Sequence, residues 1–183
     1  MGERISLVAY AEDCLVQSEL ELDESRLSDH LNSIDQLVLD HVTLTDLATG
    51  EAVAATGFAL QVEELLAVEA SGWRGPREKR IRTREQRTEL AIGPYRVLGR
   101  LHATPGADAV ASLRVRPMMV PLTETTIAFT LNGTTVIRDV PTLIVNRLAI
   151  HSLGPSTSAS GWELSLPSVV QQRASTSEIY AFR

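Results

Sequence analysis

Residues 121–145 read PLTETTIAFTLNGTTVIRDVPTLIV. Two runs rich in Thr, Val and Ile flank the dipeptide Asn132-Gly133, and β-branched residues favour strands. A type I′ turn needs positive φ at both central residues, and Asn-Gly is the pair that adopts it most readily. The stretch therefore predicts an antiparallel hairpin of two strands with a tight turn at Asn132-Gly133.

The same pattern occurs earlier in the chain, where residues 38–62 read VLDHVTLTDLATGEAVAATGFALQV. At a spacing of 83 the matches fall on apolar positions and a turn glycine: Leu39 with Leu122, Thr43 with Thr126, Gly50 with Gly133, Val53 with Val136, Leu60 with Leu143, Val62 with Val145, and Leu65 with Leu148. Nearer the N-terminus the spacing is 81, and it pairs Val16 with Val97 and Leu20 with Leu101. Self-similarity of this kind indicates an internal duplication.

Each copy reads as about five short strands with one small helical insertion, in roughly 65 residues. The insertions are residues 25–31, with Ser25 as the expected cap, and residues 106–113. The last strands are expected at residues 65–68 and 148–150. This length suits a small barrel or rolled sheet better than a sandwich, which needs about seven strands. We therefore predict an all-β protein of two tandem five-stranded barrels or rolled sheets, Sm- or SH3-like in size and pseudo-twofold related.

The expected domain organisation follows from the repeat. Residues 1–71 form copy one, residues 72–87 a basic linker, residues 88–154 copy two, and residues 155–183 a C-terminal tail. A single copy of this size is marginal alone, so we expect the two to pack through sheet edges or apolar faces. The tail opens with a flexible GPSTSASG and ends in WELSLP and SEIYAF, which either add strands or dock on a neighbouring subunit.

Charge is distributed unevenly along a chain whose net charge is -6. Residues 1–70 carry a net charge of -13, and residues 71–100 carry +6. The stretch 73–87, WRGPREKRIRTREQR, supplies most of the basic residues. The candidate interaction or anion-binding residues are therefore Trp73, Arg77, Lys79, Arg80, Arg82, Arg84 and Arg87. They would contact the acidic copy, within or between chains, or they would bind a nucleotide or nucleic acid.

The residues of known catalytic and metal sites do not occur in a recognisable pattern. Cys14 is the single cysteine, none of the four histidines has a second ligand at i+2 or i+4, and the glycines are isolated. No nucleophile elbow, phosphate loop or dinucleotide fingerprint is present. We therefore predict no enzymatic activity, catalytic residue, cofactor or metal. No run of eighteen apolar residues occurs and acids lie near the N-terminus, so a cytoplasmic protein without membrane contact is expected.

The segment RLSDHLN, between VQSELEL and LVLDHVTLTDL, resembles a small bacterial β-domain family of uncharacterised function. Members of that family share an RLSD-x-LN segment, a GRLH strand with a Pro-Gly loop, and a final VNR-x-AI turn and strand. The resemblance covers about residues 5–154 as two diverged copies. Copy one keeps Arg26, Leu27, Ser28, Asp29, Leu31 and Asn32. Copy two keeps Gly99, Arg100, Leu101, His102, Pro105, Gly106, Val145, Asn146 and Arg147. No copy carries the complete motif, and the resemblance implies no known activity.

These observations favour a non-enzymatic interaction or scaffold module. The duplication and the charge asymmetry suggest self-association, so the expected partner is a second copy of the chain or another protein. The alternative is an anion-binding regulator that uses the arginine-rich linker to hold a nucleotide or nucleic acid.

Overall fold

A computed structural model describes residues 3–23, 26–70, 83–155 and 172–173. These residues are mostly β, with eleven strands and two short α-helices. Copy one contains β1 (Glu3–Tyr10), β2 (Cys14–Leu22), α1 (Leu27–Leu31), β3 (Gln36–Asp46), β4 (Ala52–Gln61) and β5 (Ala67–Ala70). Copy two contains β6 (Arg84–Ile92), β7 (Tyr95–Ala103), α2 (Ala109–Leu113), β8 (Met119–Leu131), β9 (Thr134–Asn146) and β10 (Ile150–Pro155), followed by β11 (Gln172–Arg173). The prediction of a mostly β chain with one short helix in each copy is confirmed.

Ten of the strands form one continuous antiparallel path in the order β10-β6-β7-β8-β9-β5-β1-β2-β3-β4. Each copy contributes its strands in the order fifth, first, second, third, fourth, and β5 joins β9 where the copies meet. The short β11 pairs in parallel with β9 at Val136 and Ile137. Within the described residues the fourth strand of a copy never pairs with its own fifth strand, so the sheet is not closed into the predicted barrels. It ends at β4 on one side and at β10 on the other.

The junction between the copies also differs from the predicted pseudo-twofold arrangement. A twofold axis would bring the same strand of each copy together. Here the fifth strand of copy one pairs with the fourth strand of copy two, which is a head-to-tail relation.

The core consists of two clusters that share strands. One cluster is built mainly from copy one and includes Met119 and Ile144 of copy two. The other is built mainly from copy two and includes Val8 and Tyr10 of copy one. Because successive side chains of a strand point to opposite faces, β1 sends residues 5, 7 and 9 into the first cluster and residues 8 and 10 into the second. The two copies therefore stabilise each other rather than folding around separate cores.

The hairpin turns follow the sequence closely. Asn132 and Gly133 have φ of 49° and 73°, and Leu131 pairs with Thr134 beside them, which confirms the predicted tight turn. The turn of copy one is held by Asp46, whose carboxylate accepts hydrogen bonds from the Thr49 N–H at 2.7 Å and the Thr49 hydroxyl at 2.9 Å.

Three local expectations differ from the structure. The N-cap of α1 is Arg26, and Ser25 lies outside the described residues. The last strands begin later than predicted, at Ala67 and Ile150. Short 3-10 helices at Val62–Glu64 and Arg147–Ala149 precede them. The helix of copy two uses Leu148 and Ala149, which the apolar pattern assigns to the last strand, whereas the helix of copy one ends before the predicted strand.

The register of the hairpins corrects the spacing of the repeat. The Val62 N–H donates to the Asp35 carbonyl, and in copy two the Arg147 N–H donates to the Met118 carbonyl. Asp35 and Met118 are 83 residues apart, whereas Val62 and Arg147 are 85 apart. The hairpin of copy two is thus two residues longer, and β4 matches β9 at a spacing of 85. This replaces the matches predicted along β4 at 83: Leu60 corresponds to Val145, and Val53 corresponds to Arg138.

Candidate interaction site

The basic stretch is only partly within the described residues. Trp73, Arg77, Lys79, Arg80 and Arg82 lie outside them. Arg84 and Arg87 lie on β6 with exposed side chains, so residues 84–87 of the predicted linker belong to a strand. Across the ranges that the structure covers, neither arginine forms an ion pair, with the acidic copy or elsewhere.

The polar residues beside Arg84 and Arg87 are engaged with one another. Arg100 contacts Glu85 and Glu124, each at 2.7 Å. The hydrogen bond that Arg100 donates to Glu85, followed by the charge of Glu124, raises the pKa of Arg100 above its usual value. The His102 ring lies between the Thr83 hydroxyl at 2.9 Å and the Thr123 hydroxyl at 2.7 Å. These contacts tie β6, β7 and β8 together and leave neither side chain free for a ligand.

The junction between the copies, defined as the β5·β9 pairing and the side chains around it, is the most elaborate contact in the described structure. Three backbone pairs form its centre: Ala67 with Val145, Val68 with Ile144, and Glu69 with Leu143. The Asn146 N–H extends this ladder by donating to the Leu66 carbonyl at 2.9 Å. The pairing buries the fifth strand of copy one between β1 and β9.

Two asparagine side chains, one from each copy, fasten the junction. Asn32 donates to the Met119 carbonyl and accepts from the Met119 N–H, both at 2.9 Å. Asn146 donates to the Glu63 carbonyl at 3.1 Å and accepts from the Leu148 N–H at 3.0 Å. Asn32 belongs to the RLSDHLN segment of copy one and Asn146 to the VNR segment of copy two. Each of these segments therefore contacts the backbone of the other copy.

A buried triad of Tyr10, Glu69 and Arg138 brings three strands together at the junction. Arg138 contacts the Glu69 carboxylate at 3.0 Å and donates to the Tyr10 hydroxyl at 2.9 Å. The Tyr10 hydroxyl donates in turn to Glu69 at 3.0 Å. The three residues are 0%, 7% and 4% exposed in that order, so their charges and dipoles are compensated only by one another.

The state of the Tyr10 hydroxyl follows from this environment. Burial raises the pKa of Tyr10 well above its usual value, the charge of Arg138 lowers it in part, and Glu69 raises it further. The phenol therefore stays protonated and acts as a donor to Glu69. Because the triad has no open side and is already satisfied, its chemistry is that of a structural link and not of a catalytic site.

Three aromatic rings extend the junction towards copy two. Tyr10, Tyr95 and Phe129 pack edge to face, with ring centroids 5.3 to 6.0 Å apart. The Tyr95 hydroxyl donates to the Ala11 carbonyl at 2.7 Å, which anchors copy two to the β1–β2 turn. Such ring pairs contribute about 0.5–1.5 kcal/mol each beyond the area they bury.

The sequence interpretation missed the residues of the triad. The sequence does contain a signal for two of them, a charged residue at an inward position of an otherwise apolar strand. These residues are Glu69 within LLAVEA and Arg138 within TVIRDV. Charged residues are almost never fully buried unless they are paired, so each of these positions suggests a partner across the core. Naming the partner requires the strand order, which the local pattern does not contain.

The remaining reactive side chains do not assemble a chemical site. Cys14 is half-buried, and burial, followed by the charge of Asp13, raises the pKa of its thiol to about 11, so little thiolate forms at neutral pH. No three His, Cys, Asp or Glu side chains among the described residues lie together as metal ligands would. A shallow depression lined by Glu124 and Asp139 is open and acidic, so it does not suit an anion. The helices in the described part of the chain are all too short to cross a membrane.

The two ends of the sheet are edges. β4 pairs only with β3, and β10 only with β6, among the residues that the structure covers. The ten residues of β4, AVAATGFALQ, include no charge and no proline, which are the usual devices that prevent an edge from pairing with another chain. Val53 on β4 is 60% exposed, and Val38 on the adjoining β3 is 61% exposed. This edge is a surface suited to a further strand.

Comparisons of the chain with protein-family models, with curated proteins and with solved structures find no match. Function is therefore inferred from the residues of this chain.

Proposed function

We propose that this protein is a non-enzymatic interaction or scaffold module that self-associates, built from two rolled five-stranded units joined edge to edge. The observation that supports the proposal is the uncharged edge of β4, with Val53 and Val38 exposed beside it. An edge strand presents a row of N–H and C=O groups that no other strand pairs with. Water hydrogen-bonds to these groups, and a complementary strand can replace the water. No charge on β4 opposes the pairing of such a strand.

The internal junction supplies a second line of support. It is itself an edge-to-edge contact between two similar units, and it is heterologous. Repetition of a heterologous contact between chains generates rings or filaments, which are the architectures of scaffolds.

The proposal is tested by the mass of the purified protein in solution, measured by native mass spectrometry. The expected result is an integral multiple of the 20.0 kDa chain with no additional mass. A mass of one chain at all concentrations would reject self-association. Measurement at two ammonium acetate concentrations separates an apolar contact, which tolerates salt, from an ionic one.

A second candidate function is anion binding by the basic stretch, as a regulator that holds a nucleotide or nucleic acid. Arg84 and Arg87 favour it, because both are exposed on β6 and no described carboxylate pairs with them. Contacts of arginine with phosphates release counterions, so the affinity would fall steeply as salt rises.

The test of this candidate is the absorbance of the purified protein near 260 nm, followed by titration with a single-stranded oligonucleotide. Binding that weakens when Arg84 and Arg87 are replaced by Gln, and that is unchanged by Arg96→Gln on the neighbouring β7, would support the regulator. Absence of both bound material and oligonucleotide binding would reject it.

A further inference from the structure

The two strands that meet at the junction have counterparts at the ends of the sheet. β9 is the fourth strand of copy two, and its counterpart in copy one is β4. β5 is the fifth strand of copy one, and its counterpart in copy two is β10. Inside the chain β9 pairs with β5, whereas β4 and β10 are left as open edges among the described residues.

The hairpin register identifies which residues of β4 take the places of the β9 residues at the junction. Leu37 pairs with Leu60 as Val120 pairs with Val145, which fixes the spacing of 85 along the strand. The corresponding residues are Val145 with Leu60, Ile144 with Ala59, and Leu143 with Phe58.

The pairing of β10 with β6 identifies the other side. The spacing of 81 between β2 and β7 extends to β1 and β6, because Ala9 pairs with Val16 as Leu90 pairs with Val97. On β10, Ser152, Leu153 and Gly154 pair with Ala91, Leu90 and Glu89, which are the counterparts of Tyr10, Ala9 and Val8. The corresponding residues are Ala67 with Ser152, Val68 with Leu153, and Glu69 with Gly154.

The open edges differ from the junction in their chemistry. By the same correspondence, Tyr10, Glu69 and Arg138 of the buried triad are replaced by Ala91, Gly154 and Val53. Ala91 is buried, Gly154 is half-buried, and Val53 is 60% exposed. The ion pair of the junction is thus replaced by an apolar side chain on β4 and a glycine on β10, and Val53 has no covering strand among the described residues.

We propose that β4 pairs antiparallel with β10 of a second copy of this chain, in the register Leu60 with Ser152, Ala59 with Leu153, and Phe58 with Gly154. This inference rests on the proposed self-association and names its surfaces. Val53 then packs where Arg138 packs inside the chain, next to Gly154 of the partner subunit. Burial of Val53 provides the driving force, and the β4 ladder provides the register.

The chemical difference also keeps the two kinds of contact apart. If β9 paired with β10 of another chain, Arg138 would be buried against Gly154 without a carboxylate. If β4 paired with β5 of another chain, Glu69 would lose its arginine. An unpaired buried charge is strongly unfavourable, so each edge accepts only its own partner.

Disulfide trapping tests the pairing. Two single-cysteine variants are made in a Cys14→Ser background, Ala59→Cys at an exposed position and Leu153→Cys at a half-buried one. Directly opposed residues of antiparallel strands have Cα atoms about 4.5–5.5 Å apart, which is within reach of a disulfide. The variants are mixed, allowed to exchange subunits, and oxidised with oxidised glutathione. We expect a covalent dimer in the mixture and none from either variant alone.

The matched control replaces Ala59→Cys by Thr130→Cys, which is exposed on β8 in the interior of the sheet path, and is expected to give no covalent dimer with Leu153→Cys. An oligomer that forms no mixed disulfide, or that forms disulfides between identical variants, would overturn the β4·β10 pairing while leaving self-association in place. A wild-type protein with the mass of one chain would reject both. The unchanged oligomeric mass of each unoxidised variant shows that the substitutions leave the assembly intact.

Discussion

The internal junction and the open edges of this protein use equivalent strands with opposite chemistry. At the junction, Glu69 on β5 and Arg138 on β9 form a buried ion pair that Tyr10 completes. At the open edges the corresponding residues are Gly154 and Val53. A buried polar network demands one partner in one register, whereas an apolar edge gains from covering. The difference teaches that pairing of a fourth strand with a fifth strand can join the two copies within one chain, while the equivalent strands at the open edges stay accessible to a second chain.

The largest expected effect comes from removing one side of the ion pair. Arg138→Val leaves the Glu69 carboxylate buried without its cation, and we expect a loss of about 3–5 kcal/mol in the free energy of unfolding, measured in urea. The double variant Glu69→Leu with Arg138→Val replaces both charges by apolar side chains, so it should recover most of that loss. A double variant whose loss equals the sum of the two single losses would contradict the coupling of Glu69 and Arg138 across the junction.

The next largest expected loss of stability comes from adding a methyl group at Gly93, where the two copies lie close together. Gly93 has a φ of 49°, and a Cβ added there would lie 2.4 Å from Leu66 Cδ1 of copy one. Gly133 also has a positive φ, but its surroundings are open. Gly93→Ala should therefore cost about 1–3 kcal/mol more than Gly133→Ala, because it adds overpacking to the backbone strain that both share. Equal losses in thermal or urea unfolding would show that the copies are not pressed together at Gly93.

The asparagine contact predicts a similar or smaller loss. Asn32→Ala removes both hydrogen bonds to the Met119 backbone and should cost about 1–3 kcal/mol. The control is Arg114→Ala at the corresponding position after α2, which is exposed and should change stability by less than about 0.5 kcal/mol. If Arg114→Ala lowered the free energy of unfolding in urea as much as Asn32→Ala, the hydrogen bonds of Asn32 would not account for the loss.

The smallest effect concerns the two hairpin turns, which touch where the Asn132 N–H donates to the Leu47 carbonyl at 2.8 Å. Hydrogen bonds from the Thr49 N–H and hydroxyl lower the pKa of Asp46, which supports the Leu47 turn. A lowered pKa in the folded state stabilises the protein above the unfolded value of about 3.9, and this contribution is lost as the pH falls through the folded value.

Asp46→Asn should accordingly flatten the acid limb of a stability profile recorded between about pH 5 and pH 2. Asp40→Asn, on the same strand and exposed, serves as the control. An unchanged acid limb in Asp46→Asn would show that the turn contributes nothing measurable to the contact between hairpins.

Much of the fold could be predicted because it is encoded locally. The Asn132-Gly133 turn, the alternation along β3 and β8, and the order of strands within each copy all depend on neighbouring residues. Whether the sheet closes into barrels does not depend on neighbouring residues, because β5 pairs with β9, which is distant in sequence. The alternation of apolar residues cannot specify such a partner. The spacing of 83 failed along β4 for a related reason: a hairpin lengthened by two residues keeps the apolar pattern while moving every partner.

The site was less accessible to prediction than the fold. Basic residues attract notice through composition, yet Arg84 and Arg87 have no partner in the described structure. Glu69 and Arg138 matter more to the contact between the copies, and each is a single charge in an apolar strand. Their pairing depends on which strands the fold makes neighbours.

The most direct test of the central claim, that β4 is an assembly edge, is the solution mass of Val53→Lys by sedimentation equilibrium. Val53 is 60% exposed in the single chain, so the fold should tolerate the lysine, while the charge opposes a covering strand. We predict a multiple of 20.0 kDa for the wild type and for the control Thr130→Lys, and a mass of one chain for Val53→Lys. A Val53→Lys protein that keeps the wild-type mass would contradict the account.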